Sequence, residues 1–270
     1  SENYRKVRNT FRFLLANINN EDDFTKADLV DVSELPKLDQ YMLALLDEVN
    51  AKCQLAYQEY RFSDVTTLLT NLMTNEFSAY YLDFTKDILY IEKKDSPRRR
   101  QVQTVLYHAV NVLVRLWAPI LVHTAEEVND FFKGEEESIH LGRFAEPFNI
   151  TDAEALKAKV GRLMQIRSDI FKALEEARAE KVIGKSLEAE VLVNVSDEDR
   201  ALIAELCGDQ FHQWLIVSKV SFSIDELKPY DVCQVEIVKA EGTVCPRCWN
   251  ISEQADEEGL CPRCRKVLGL

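Results

Sequence analysis

Two cysteine pairs, Cys245-Pro-Arg-Cys248 and Cys261-Pro-Arg-Cys264, stand twelve residues apart and tie the final segment of the sequence to one point in space. A C-x-x-C turn presents two sulfurs on one side of a knuckle, and two knuckles close a tetrahedron about a metal with Zn–S bonds of about 2.3 Å. The gap between the pairs is slightly shorter than the usual zinc spacing. Ligand softness ranks zinc first, iron next and a disulfide pair last. Iron knuckles favour glycine after the second cysteine, whereas Trp249 and Arg265 follow here. Four thiolates leave zinc no open position, so one Zn²⁺ at Cys245, Cys248, Cys261 and Cys264 is structural and generates no hydroxide. The segment has few apolar residues and is expected to need its metal to fold.

The remaining cysteines, Cys53, Cys207 and Cys233, are scattered singly on apolar segments, as inert core thiols are. No signal peptide and no apolar run long enough to cross a bilayer is evident, so a soluble, cytoplasmic chain is expected. A length of 270 residues and 46% hydrophobic composition suit about two domains with a sizeable core. The net charge of −13 argues against a protein that coats itself in nucleic acid. Its distribution is uneven. Arg5, Lys6, Arg8 and Arg12 crowd one segment, Lys93, Lys94, Arg98, Arg99 and Arg100 another, and Arg247, Arg263, Arg265 and Lys266 frame the cysteines. A solvated helix face explains any one of these runs equally well.

Residues 1 to about 132 read as nearly continuous helix. Tyr4, Val7, Phe11, Leu14 and Ile18 recur at three- and four-residue steps. Pro36 opens a second helix with a Leu38, Tyr41, Met42, Leu45, Leu46, Val49 stripe. Ser63 is placed as the cap of a third, which carries a Leu68, Leu69, Leu72, Met73, Phe77, Tyr80 stripe. Ser96-Pro97 offers an N-cap and a proline at the first helical position of a fourth. Thr124 and Glu127 fit a capping box for a short helix. Amphipathic stripes of this length need a shared interior, so a helical bundle over residues 1–150 is expected, ending in a connection from Lys133 to Ile150.

Thr151 and Glu154 suggest another capping box, for a helix reaching about Glu180. The period then changes. Val191, Val193 and Val195 alternate as in a strand, as do Val220, Phe222 and Ile224, and Cys233, Val235 and Ile237, with a helix near Leu202. The fold class is therefore mainly α: a helical bundle, a small α+β module over 151–240, and a four-cysteine zinc knuckle over 241–270. Gly184-Lys185-Ser186 lacks the earlier glycine of a phosphate loop and sits between helix and strand in the wrong order. His108, His123, His140 and His212 are far apart, and no catalytic constellation is found.

Tyr4-Arg-Lys-Val-Arg-Asn-Thr-Phe-Arg-Phe-Leu-Leu15 closely resembles the opening of the anticodon-binding domain of bacterial isoleucyl-tRNA synthetases. Leu35-Pro-Lys-Leu-Asp-Gln-Tyr-Met-Leu43, Ala118-Pro-Ile-Leu-Val-His-Thr-Ala-Glu-Glu-Val128, Lys181-Val-Ile-Gly-Lys-Ser-Leu-Glu-Ala189 and the Cys-Pro-Arg-Cys-Trp-Asn end are similar to that family in the same order. Valyl and leucyl relatives share the helical domain, but the Lys181–Ala189 segment and the zinc knuckles favour isoleucyl. Gln40 stands where the family commonly has Arg, and Asn129 where Trp is common, which bears on an ionic contact and on local packing respectively.

The resemblance implies the tRNA-reading C-terminal part of a class I ligase that activates isoleucine with ATP and attaches it to tRNA(Ile). The nucleotide-binding and editing domains would lie upstream in the same polypeptide. Neither the His-Ile-Gly-His nor the Lys-Met-Ser-Lys-Ser type signature occurs here, so ATP belongs to the missing domain and this fragment alone is expected to be inactive. The parent is expected to be a monomer that does not bind membranes. Trp249 is the leading base-stacking platform, with Arg247 beside it, while Arg5, Lys6, Arg8 and Arg12 would position the RNA backbone. Arg98, Arg99 and Arg100 are weaker candidates, because positive charge at a helix start opposes the dipole. The competing reading is a helical protein-interaction module with a zinc ribbon and no tRNA role.

Overall fold

The computed structural model describes residues 2–132 and 136–270, and the first three residues of the expected connection, 133–135, lie outside them. Two compact units divide the chain, Ser1–Ala153 and Glu154–Leu270.

The first unit is helical throughout. Its elements are α1 (Glu2–Ala16), α2 (Lys37–Gln58), α3 (Phe62–Asn71), a π-helical segment (Leu72–Tyr81), α4 (Leu82–Ile91), α5 (Pro97–Trp117) and α6 (Val122–Phe132). The predicted stripes face inward: Val7, Phe11 and Leu14 of α1, Met42 and Leu46 of α2, and Val105, Leu106 and Leu113 of α5 are essentially inaccessible. Each such side chain contributes about 1.5–3 kcal/mol of burial. Helix α5 is the hub, packing against α1, α2, α4 and α6.

The third predicted helix runs on through the π segment. A wider turn rotates each residue less, so Tyr80, Tyr81 and Leu82 are all buried although adjacent in sequence. Phe77, Tyr81 and Phe84 then form edge-on ring pairs, Phe77 to Tyr81 at 6.2 Å and Tyr81 to Phe84 at 5.5 Å.

Several helix starts differ from expectation. Helix α3 begins at Phe62, with Arg61 at the N-cap and no capping side chain. Ser63 lies inside it, and its carbonyl accepts the hydroxyls of Thr66 and Thr67. Ser96 does occupy the N-cap of α5 with Pro97 at the first position, yet its side chain makes no capping bond. Thr124 and Glu127 form no capping box because α6 already begins at Val122; both side chains bond to α1. The loop before α2 is closed by buried Gln40, whose Nε2 donates to the carbonyls of Leu35 and Ser33. Asn129 is buried and donates to the Glu136 carbonyl.

The second unit opens on α7 (Ala153–Ala179), one residue later than the Thr151 box suggested. A three-stranded sheet follows in the order β2-β1-β3, made of β1 (Ala189–Asn194), β2 (Lys219–Phe222) and β3 (Gln234–Lys239). The central β1 runs parallel to β2 and antiparallel to β3, with Val191 opposite both Val220 and Ile237. Ala189, Val191 and Val193 are wholly buried in the expected alternation, while Val195 and Ile224 fall beyond the strand ends. Between β1 and β2 come α8 (Asp197–Cys207) and the short α9 (Phe211–Trp214). Helix α7 is pinned from several directions. Buried Asp169 accepts the backbone N–H groups of Val232 and Cys233, and Arg162 makes a two-pronged bond to Asp199 of α8. Last come the two-stranded β4 (Thr243–Val244) and β5 (Ile251–Ser252) and the helix α10 (Pro262–Leu268).

Among the described residues no helix is long and apolar enough to cross a membrane.

Candidate metal centre and nucleic-acid interface

The thiols of Cys245, Cys248, Cys261 and Cys264 are all buried, and their sulfurs lie within 4.8 Å of one another. Cys248 Sγ and Cys261 Sγ are 3.6 Å apart, and neither residue is in a disulfide. A tetrahedron with Zn–S bonds of about 2.3 Å has sulfur edges of about 3.8 Å, so the donor set fits a four-coordinate ion closed to solvent ligands. The first knuckle is shaped by backbone bonds from Cys245 N to the Asn250 carbonyl and from Trp249 N to the Cys245 carbonyl. In the second, Cys261 sits at the N-cap of α10 with Pro262 at the first helical position, and its sulfur accepts from Cys264 N at 3.5 Å. Burial pushes the Cys245 thiol up, but backbone N–H groups of Cys261, Cys248 and Arg247 outweigh it and bring it down to about 6. Burial pushes Cys264 up. A bound cation reverses that preference, since a coordinating thiol is deprotonated outright.

A hydroxyl and an ion pair join the first knuckle to the sheet. Ser218 Oγ accepts from Ile251 N at 2.7 Å and donates to the Leu187 carbonyl at 2.5 Å. Lys219 of β2 pairs with Glu253 at 2.9 Å. Gly242 makes the approach possible. Its φ is +122°, and a Cβ there would collide with the Ser252 carbonyl.

Trp249 is held at φ +66°, a conformation rare for a bulky residue, and is 67% exposed. Its backbone is fixed by the turn bond to Cys245 while most of the side chain is open to solvent. Arg247 is half-buried and turned toward the cluster, with Nη1 3.7 Å from Cys264 Sγ.

The α1 cations are all exposed but not equivalent. Arg8 makes a two-pronged bond to Glu127 of α6, at 2.7 and 2.8 Å, which holds the Glu127 carboxyl below its usual range. Beside it the Tyr4 hydroxyl meets Thr124 Oγ1 at 2.9 Å. Lys6 pairs with Glu2. Arg5 and Arg12 have no ion-pair partner among the described residues.

The arginines of the second basic run are committed internally. Arg98 bonds both oxygens of fully buried Asp39, which also accepts the Tyr81 hydroxyl. Arg99 bonds both oxygens of Asp23 and the Leu89 carbonyl, and Arg100 reaches Asp23, Asp28 and Gln103. These arginines begin a helix against the dipole because carboxylates from other segments neutralise them. The Gly184-Lys185-Ser186 turn is likewise closed by the protein itself, Gly184 N donating to the Glu188 carboxylate at 2.7 Å.

Phe131 of α6 has no place among the sequence-predicted site residues. Its signal is the adjacent pair Phe131-Phe132, two large rings side by side at the end of an amphipathic helix. Phe132 packs on Tyr107 at 4.9 Å, and Phe131 is left 56% exposed.

Residues 39–193 match the sequence profile of the family described as "Anticodon-binding domain of tRNA ligase". The chain is 47% identical over 285 residues to the isoleucine–tRNA ligase of Geobacillus kaustophilus. It is 44% identical over 274 residues to that of Exiguobacterium sibiricum, and 43% over 280 residues to that of Bacillus mycoides. Each alignment covers 99% of this chain, which spans about 30% of the length of these curated relatives. A profile match over more than half of the sequence, on a helical body followed by a sheet module and a four-cysteine cluster, leads to one conclusion: this chain belongs to the family of anticodon-binding domains of tRNA ligases.

Proposed function

We propose that this chain recognises the anticodon stem-loop of tRNA(Ile) as the C-terminal part of an isoleucine–tRNA ligase. The upstream domains of that ligase would activate isoleucine with ATP and carry out transfer. The observation that carries this reading is the family match, joined to near-complete alignment with isoleucine–tRNA ligases. In the corresponding division of labour, residues 1–150 are the anticodon-binding body, 151–240 a junction and 241–270 a zinc-bound tail. Zinc is the metal the donor set favours, because four thiolates in a closed tetrahedron suit a borderline-soft ion without geometric preference. It would hold the knuckles and supply no catalytic chemistry. The ligase is proposed to act in the cytoplasm as a monomer.

Trp249 stacks a loop base, with Arg247 both bracing Cys264 and facing the RNA. Arg5, Lys6, Arg8 and Arg12 track phosphates and supply little sequence information. Surface pairs such as Lys6–Glu2 are weak enough to yield to a phosphate, being worth about 0–1 kcal/mol. Fluorescence anisotropy with the stem-loop RNA tests the reading. Tight binding should fall with salt at a log–log slope of about −2 to −3, as expected for three or four single-strand phosphates. Trp249→Ala should weaken it about 5- to 100-fold, the loss of one stacked base. Equal affinity for stem-loops with altered anticodons would refute it.

A further inference from the structure

Helices α1 and α6 leave between them a cleft of about 330 Å³ that the body's own side chains do not fill. Phe11, Leu15 and Val128 line it with apolar surface, and Arg12, Asn19 and half-exposed Phe131 add a cation, an amide and an open ring. The Arg8–Glu127 fork and the Tyr4–Thr124 bond tie the two helices together beside it, so its width is set before any ligand arrives. A volume near the lower end of the range for ligand pockets, about 300–1,000 Å³, suits one flat ring system better than a peptide helix.

The charge around the cleft selects the occupant. Of the charged side chains that line it, Arg8 is neutralised by Glu127 across the cleft, and Arg12 is left as the cation without a counter-charge among the described residues. A ligand that is flat, aromatic and joined to an anion matches all three features, and a nucleotide in a single strand is such a ligand. We propose that the cleft receives one unstacked base of the RNA loop, lying against Phe131, with the adjoining phosphate on Arg12. This base pocket rests on the RNA-binding reading above and adds a second stacking site to Trp249.

The test uses the full chain and the anticodon stem-loop RNA of tRNA(Ile), with Phe131→Leu to keep apolar contact while removing the ring face. Phe131→Leu should melt as the parent does and bind the RNA about 5- to 100-fold more weakly. Abasic substitution at one loop position should weaken the parent protein similarly and have no further effect on Phe131→Leu. Arg12→Gln should flatten the salt dependence. If Phe131→Leu binds as tightly as the parent while Trp249→Ala does not, the base pocket is overturned and the RNA-binding reading stands. Unchanged RNA affinity with lost association to the remainder of the ligase overturns it in favour of a protein contact. Failure of the parent chain to bind the stem-loop removes both.

Discussion

Replacing Arg98 with methionine separates a structural lock from an RNA contact. Asp39 is completely buried, and it accepts three bonds: from Arg98 Nη1 at 2.5 Å, Arg98 Nη2 at 3.1 Å and the Tyr81 hydroxyl at 2.9 Å. The substitution takes away both charge-assisted bonds and leaves a carboxylate in the core with a single hydroxyl. Removing one partner of a buried pair destabilises by about 3–5 kcal/mol, chiefly because the surviving charge is uncompensated. In a unit of this size each kcal/mol moves Tm by about 2–4 °C, so the expected drop is roughly 6–20 °C. Thermal and urea melts followed at 222 nm measure it. The double variant Asp39→Leu/Arg98→Met, which removes both charges, should recover at least about 1 kcal/mol of that loss despite leaving Tyr81 without its acceptor. At a temperature where Arg98→Met remains folded, its affinity for the stem-loop should equal that of the parent. A loss of stability below about 1 kcal/mol, or a clear loss of RNA affinity in the folded variant, would refute the reasoning.

Three further outcomes follow from other parts of the molecule. Bonding to Arg99, opposed in part by burial, holds the Asp23 carboxyl below the ordinary value of about 3.9. Its stabilising contribution is therefore present above about pH 4 and lost as pH falls through the lower folded-state value. The stability gap between parent and Asp23→Asn should accordingly be constant at neutral pH and close on acidification; a gap that widens in acid contradicts the assignment. Gly242→Ala places a methyl group against the Ser252 carbonyl and should disrupt the β4–β5 pairing beside Cys245. Zinc competition titration should then show at least about tenfold weaker binding, as knuckle folding and metal affinity are one free energy. Elemental analysis should find one zinc per chain, and chelation should open residues 243–270 to protease while the 222 nm signal of the helical body persists. Simultaneous loss of both would show that the metal supports more than the tail.

The core stripes are legible in the sequence because burial imposes a period. Val7, Phe11 and Leu14, or Val191 and Val193, declare their face by spacing alone. Caps are less legible, since a serine or threonine near a helix start signals a cap only if nothing else claims its hydroxyl. Tyr4 claims Thr124, and Arg8 claims Glu127, from more than a hundred residues away. The π segment is hidden for a related reason: only the aromatic packing around Tyr81 and Asp39 shows why the helix widens there.

The cysteine spacing, the amphipathic periods and the motif string determined by themselves the four-cysteine cluster, the mainly helical class and the family, because each depends on residue type and local separation. Which arginines are free to meet a phosphate was decided in three dimensions. Arg98, Arg99 and Arg100 look as available as Arg5 and Arg12 in the linear chain, yet carboxylates from distant segments neutralise the first group and leave the second exposed. Charge is a property of a residue, but its availability depends on which neighbours the folded chain brings within a few ångströms, and that pairing has no period to read.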